Sequence, residues 1–252
     1  MPYTNNDGVR IYYEVEGQGP PLMLAHSFRR NLNRWRELGL ADALKNDYML
    51  ILFDARGHGK SDKPHDPAAY GSKMAGDVIA VLDDLRIEKT HYYGYSMGAG
   101  VGFKNAVSHP GRFLSLILGG FNPYPPENPG GVTTLPSDPE IFLRTVERVL
   151  GRPLTPDEKQ AELANDLEAL SASTVTWSEI ATLTDRDLSR ISMPCLLYAG
   201  DFDPSYAGAK EAAQHIPGAE FLSLPGLNHA TAAYGPQVLT KVKEFLARVS
   251  RT

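Results

Sequence analysis

The chain has 252 residues, 42% of them apolar, and 25 Lys and Arg against 30 Asp and Glu give a net charge of −5. A chain of this size and composition buries roughly three-quarters of its unfolded surface, which excludes disordered and collagen-like classes, and no basic run supports nucleic-acid or acidic-membrane binding. With one cysteine (Cys195), a polar Met1–Asp7 start and no apolar run beyond Leu114–Leu118 in scale, an internal disulfide, a signal peptide and a membrane span are not expected. That leaves a cytoplasmic globular protein, monomer or homodimer, with a small-molecule partner.

Short β-type apolar runs alternate with longer helical patterns, which predicts an α/β class with a mostly parallel central sheet flanked by helices. In chain order the strands read Val9–Val15 (an early edge strand), Leu22–Ala25, Leu50–Phe53, His91–Tyr93, Leu116–Leu118, Cys195–Tyr198 and Glu220–Leu224. Helices are expected over Met74–Leu85, with Val78, Leu82 and Leu85 as its buried stripe, and over Met97–Ser108 and Gln237–Val249. From Asn122 to Pro136 prolines and glycines break the alternation, and helical patterns follow. Ile141, Val146 and Val149 mark one helix, Leu163, Leu167 and Leu170 a second, and Ile180–Leu183 a third. Residues 122–190 are therefore read as a helical cap inserted into a core of residues 1–121 and 191–252, over the sheet edge where open α/β sheets bind ligands.

Gly94-Tyr95-Ser96-Met97-Gly98 follows a strand and opens a helix, the context in which G-x-S-x-G presents a nucleophilic serine. So sharp a turn needs small neighbours, and it aims the positive end of a helix at developing negative charge. A serine hydroxyl needs a base, because its free pKa leaves almost no alkoxide at neutral pH. Of seven histidines, His229 stands out: it lies in a loop after the last strand, where its imidazole can reach over the sheet edge. The third member should hold that imidazole, and Gly200-Asp201-Phe202-Asp203 offers two carboxylates after the preceding strand. The chain order Ser, Asp, His fits a hydrolase arrangement.

With these segments, and with His26-Ser27-Phe28 and Asp54-Ala55-Arg56-Gly57-His58-Gly59-Lys60-Ser61, the chain resembles the α/β-hydrolase fold over nearly its whole length. It is most similar to the capped haloperoxidase, esterase and lactonase branch. The resemblance selects Asp203 as the acid, with Asp201 as the fallback and chiefly a structural part. It implies a chiefly structural loop for Asp54–Ser61, with no catalytic role for Asp54 or His58. It also implies an oxyanion hole from the backbone N–H groups of Met97 and Phe28. Here the chain departs from the family, which has glycine where Ser27 stands; serine restricts the backbone but adds a hydroxyl donor. Arg29 and Arg30 follow Phe28, close to where substrate should lie. With Ser27 they are the expected substrate-binding residues, and a guanidinium there would favour an anionic substrate group.

Other matches fail on chemistry. Gly59-Lys60-Ser61 ends like a phosphate-binding loop, but Asp54 stands where that motif needs glycine. Gly98-Ala99-Gly100-Val101-Gly102 lacks dinucleotide-fingerprint spacing, and no helical His pair or Cys set suggests a metal. Cys195 reads as an inert core thiol, and Trp177 and Tyr124 as pocket or packing aromatics. The leading expectation is a cofactor-free serine hydrolase of a small ester or lactone. The alternatives are a C–C bond hydrolase or perhydrolase with the same triad, or a hydrolase-fold ligand receptor. Serine at position 96 disfavours aspartate-nucleophile dehalogenases and epoxide hydrolases.

Overall fold

A computed structural model describes residues 3–125, 134–180 and 182–250. Met1, residues 126–133 of the expected cap and Ala181 of its expected third helix lie outside them. The strands are β1 (Tyr3–Asn6), β2 (Val9–Glu16), β3 (Pro21–Ala25), β4 (Met49–Phe53), β5 (Thr90–Tyr95), β6 (Phe113–Gly119), β7 (Cys195–Gly200) and β8 (Glu220–Leu224). The helices are α1 (Arg34–Glu37), α2 (Leu40–Leu44), α3 (Lys73–Asp84), α4 (Met97–Ser108), α5 (Pro139–Leu150), α6 (Pro156–Leu163), α7 (Leu167–Val175), α8 (Asp185–Leu188), α9 (Tyr206–His215) and α10 (Pro236–Val249).

The strands form one sheet in the order β1-β2-β4-β3-β5-β6-β7-β8. β1 and β2 run antiparallel to their neighbours, and every pair from β4 and β3 to β7 and β8 is parallel. Parallel strands are covered on both faces, so their sequences read as continuous apolar runs rather than alternations. Leu22, Met23 and Leu24 of β3 are all fully buried. Met23 packs in one core with Val78 and Leu82 of α3 and Phe103 of α4. Leu22 and Leu24 face the other core with Trp35, Leu44 and Phe245. The predicted edge position of Val9–Val15 needs correction, because β1 lies outside it, pairing Tyr3 with Tyr12. A polar four-residue strand gives no hydrophobic pattern to read.

Between β6 and β7 the chain builds α5 to α8 around a small core of Phe142, Val146, Leu154 and Leu170. Three details differ from expectation. Phe142, not Ile141, lies on the buried face of α5, and Ile141 and Val149 are exposed. The run Leu163–Leu170 is two helices, because the Asp166 carboxylate accepts the Ala169 N–H at 3.0 Å and starts α7 afresh. Ile180 follows a 3₁₀ turn (Trp177–Glu179) instead of opening a helix. The segment rests on the core loops: the Trp177 ring meets that of Phe28 at 5.3 Å, and Leu183 N–H donates to Pro123 O. Among the described residues no helix is long and apolar enough to cross a membrane.

A charged tie joins this segment to the loop after β4. His65 Nε2 lies 3.1 Å from both Asp166 oxygens, and its Nδ1 lies 2.9 Å from Glu168. The hydrogen bond to Asp166 holds the His65 imidazole above its ordinary 6.5. Both ring nitrogens donate only in the imidazolium, so the tie is complete below about pH 6.5 and is lost as pH rises through the raised value. Hydrogen exchange, corrected for intrinsic rates, is therefore expected to show α7 amides better protected at pH 6 than at pH 9. In His65→Gln that difference should vanish; an unchanged difference would refute the tie.

Candidate active site

Ser96 sits between β5 and α4 at φ 53° and ψ −115°. A non-glycine residue in such a conformation costs about 1–3 kcal/mol and persists only where the surroundings enforce it. Here they do: a Cβ on Gly98 would come within 2.1 Å of Ala25 O, so α4 starts hard against the end of β3. Tyr92 Oη donates to Gly98 O at 2.6 Å, and Ser96 N–H donates to Gly119 O at 2.8 Å, fixing both sides of the turn. The first-turn N–H groups of α4, Met97 among them, have no intrahelical acceptor and face the end of the sheet that carries Ser96.

His229 comes from the loop after β8, three strands away from β5 in the sheet. That loop crosses the end of β7 so closely that a Cβ on Gly200 would lie 2.0 Å from Leu227 O. Phe202 N–H donates to Leu227 O at 3.0 Å, and the Asp201 carboxylate accepts Gly226 N–H at 2.7 Å. Asp201 thus braces the loop and leaves the imidazole to its neighbour. The Tyr95 hydroxyl donates to His229 O at 2.5 Å, and the two rings lie 5.4 Å apart.

The loops bring the three residues into one chain of contacts. Ser96 Oγ lies 3.0 Å from His229 Nε2, and His229 Nδ1 lies 2.8 Å from Asp203 Oδ2. Asp203 is buried, and its other oxygen accepts the N–H (2.8 Å) and hydroxyl (2.7 Å) of Ser205. Burial pushes the Asp203 carboxyl up. The hydrogen bond and charge of His229, helped by Ser205, outweigh that and hold it below its ordinary value. An acceptor on Nδ1 fixes the tautomer with the proton there, which leaves the Nε2 lone pair for Ser96.

His26-Ser27-Phe28 leaves β3, whose Ala25 is in register with Gly94, two residues before Ser96. His26 Nδ1 donates to Ser27 O at 2.9 Å, and its Nε2 accepts Ala55 N–H at 3.0 Å, so this ring ties two loops together. Beside it His58 is fully buried, and burial, with the neighbouring His26, pushes its imidazole down to about 3. It is therefore neutral. Asp54 accepts Leu32 N–H at 2.8 Å and Lys60 N–H at 2.7 Å. Arg56 forms a buried two-pronged pair with Asp77 of α3, at 2.8 and 2.5 Å. The Asp54–Ser61 segment is a hydrogen-bonded frame beneath the site. Cys195 is buried, its thiol pushed up to about 12, and it faces no part of the constellation.

Arg29 and Arg30 do not stand open to solvent. Both contact Glu162 of α6, at 2.9 and 3.0 Å, and Glu162 is buried. Sequence reasoning missed Glu162, Ser205 and Tyr95. Glu162 sits in the polar stretch PDEKQAEL and meets its partner 132 residues away, so no local pattern announces it.

The sequence profile of the α/β-hydrolase fold family matches residues 20–180. The non-heme chloroperoxidase CPO-A1 of Kitasatospora aureofaciens is 28% identical, over 91% of this chain and 92% of its own. Among solved structures, a hydrolase from Pseudomonas aeruginosa PA01 superposes with a TM-score of 0.80 at 25% identity, covering 97% of each chain. An enol-lactonase from Burkholderia xenovorans LB400 superposes with a TM-score of 0.83 at 23% identity, over 98% of this chain and all of its own. Profile match, sheet order and strand-end loops agree, and this chain belongs to the α/β-hydrolase fold family.

Proposed function

We propose that the protein is a serine hydrolase that cleaves small carboxylic esters or lactones through an acyl-enzyme on Ser96. The observation that carries this reading is the unbroken contact chain from Ser96 Oγ through His229 to the buried Asp203, with Ser96 held on a strained turn. Ser96 Oγ attacks the carbonyl carbon as His229 Nε2 takes its proton. Asp203 keeps the resulting imidazolium oriented and charged without itself taking the proton. The Met97 and Phe28 N–H groups stabilise the tetrahedral oxyanion, each contributing about 10²–10³ in rate. The imidazolium then protonates the leaving alkoxide. Water, deprotonated by the same Nε2, attacks the acyl-enzyme and releases the acid.

Both the esterase and the lactonase reading need no reactant besides water, and the acyl-enzyme is common to them. An active-site phosphonylating agent such as a fluorophosphonate should therefore leave one adduct per chain, on the tryptic peptide carrying Ser96. The adduct should be absent in Ser96→Ala and strongly slowed in His229→Ala. Labelling that persists in Ser96→Ala, or none in wild type, would overturn the reading.

A further inference from the structure

Arg29 occupies a backbone position that ordinarily goes to glycine. Arg30 N–H donates to Ser27 O at 3.2 Å, closing a turn in which Arg29 has φ +64°. Tight turns of this kind place glycine at the positive-φ position, because a side chain there is strained. The turn thus holds a long cationic side chain where geometry disfavours any side chain, one residue after Phe28.

The guanidinium is also poorly satisfied. Its side chain is 15% exposed, and its buried Nη1 makes no well-aligned hydrogen bond. Nη1 lies 2.9 Å from Glu162 Oε2 in an ion pair, and both atoms are buried with no other partner among the described residues. Arg30 has the better geometry, donating from Nη1 to Glu162 Oε1 at 3.0 Å. One carboxylate therefore serves two guanidinium groups, leaving one excess positive charge at the seam between α6 and the loop after β3. Burial, opposed by Glu162, lowers the Arg29 pKa, as expected for a desolvated cation with incomplete compensation. A planar fork with donors to spare fits a carboxylate.

We propose that Arg29 is an anion-recognition residue of the active site and that the substrate is an ester or lactone carrying a second, ionised carboxylate. This rests on the ester and lactone reading of Ser96. Glu162 then acts as a placeholder that holds the fork in position and shares it with the incoming carboxylate.

The test compares kcat/KM for monomethyl glutarate with that for methyl pentanoate, following methanol release. Wild type should favour the charged ester by about 10- to 100-fold, the range of a charge-assisted hydrogen bond. Arg29→Gln should bring the ratio to about one, and Arg29→Lys, which keeps charge but loses the fork, should retain part of it. Glu162→Gln should raise the ratio, because the competing carboxylate is gone. A cluster that merely pins α6 would lower both esters together and leave the ratio unchanged in all three variants; that result, or a wild-type ratio at or below one, overturns the proposal. If wild type cleaves neither ester, the simple-ester reading fails separately. Calorimetric binding of monomethyl glutarate to Ser96→Ala then decides the subsite: binding that disappears on adding Arg29→Gln supports it, and no binding overturns it.

Discussion

Ser96→Ala is expected to lower kcat for p-nitrophenyl butyrate by about 10⁶, with secondary structure and melting temperature little changed. The size follows from the contacts. Ser96, His229 and Asp203 form one hydrogen-bonded chain, so losing the nucleophile idles the base and acid as well. What survives is the background from oxyanion donors and binding, about 10³–10⁴ over water. Asp203→Asn should cost about 10⁴, because an amide can present its N–H to Nδ1 and reverse the tautomer that aims the Nε2 lone pair at Ser96. The double variant should be no slower than Ser96→Ala. Additive losses, or undiminished turnover in Ser96→Ala, would show that the three residues do not act as a unit. Burst kinetics with the wild type would report the acyl-enzyme directly.

Asp77→Ala should destabilise the fold by about 3–5 kcal/mol, the usual cost of stripping one partner from a buried ion pair. Arg56 and Asp77 are each 1% exposed and joined by two hydrogen bonds. Without Asp77, the Arg56 guanidinium keeps only Ala69 O as an acceptor among the described residues. For a chain this long the loss corresponds to a fall of about 6–20 °C in melting temperature. The control is Arg56→Met combined with Asp77→Leu. It removes both charges and should recover most of the lost stability, since a buried pair exchanged for apolar volume is often neutral. Thermal and urea unfolding of the wild type and the two variants decide it, and a loss under about 1 kcal/mol in Asp77→Ala would refute the argument.

How much of this was legible in the chain itself varied with the kind of constraint. The elbow was legible because a serine on so tight a turn must have glycines at Gly94 and Gly98, and sequence shows glycines. The parallel strands were legible because burial on both faces makes them uniformly apolar, as in Leu22–Leu24. β1 was not, since Tyr3–Asn6 is held by backbone pairing and carries no apolar run. The single helix expected over Leu163–Leu170 failed because Asp166, an ordinary polar residue in sequence, caps a new helix. The surroundings of Arg29 and Arg30 were illegible for a different reason: a buried glutamate reads the same as a solvated one until the fold brings its partners across 132 residues. Ser205 and Tyr95 were overlooked because their parts are to hold Asp203 and His229, and supporting contacts leave no spacing rule.

The order of the strand-end loops has a consequence for synthesis. Ser96 and His229 are 133 residues apart in the chain, and Asp203 too is translated after the helical insertion. At roughly 5–20 residues per second, about 7–27 s separate the emergence of the serine from that of its base. During that interval the growing polypeptide carries the turn, the loop after β3 and α5 to α8, but no partner to take the Ser96 proton. On the proposed mechanism, reactivity therefore arrives late and all at once, with the loop after β8, and a nascent or prematurely terminated chain lacks the base that Ser96 needs.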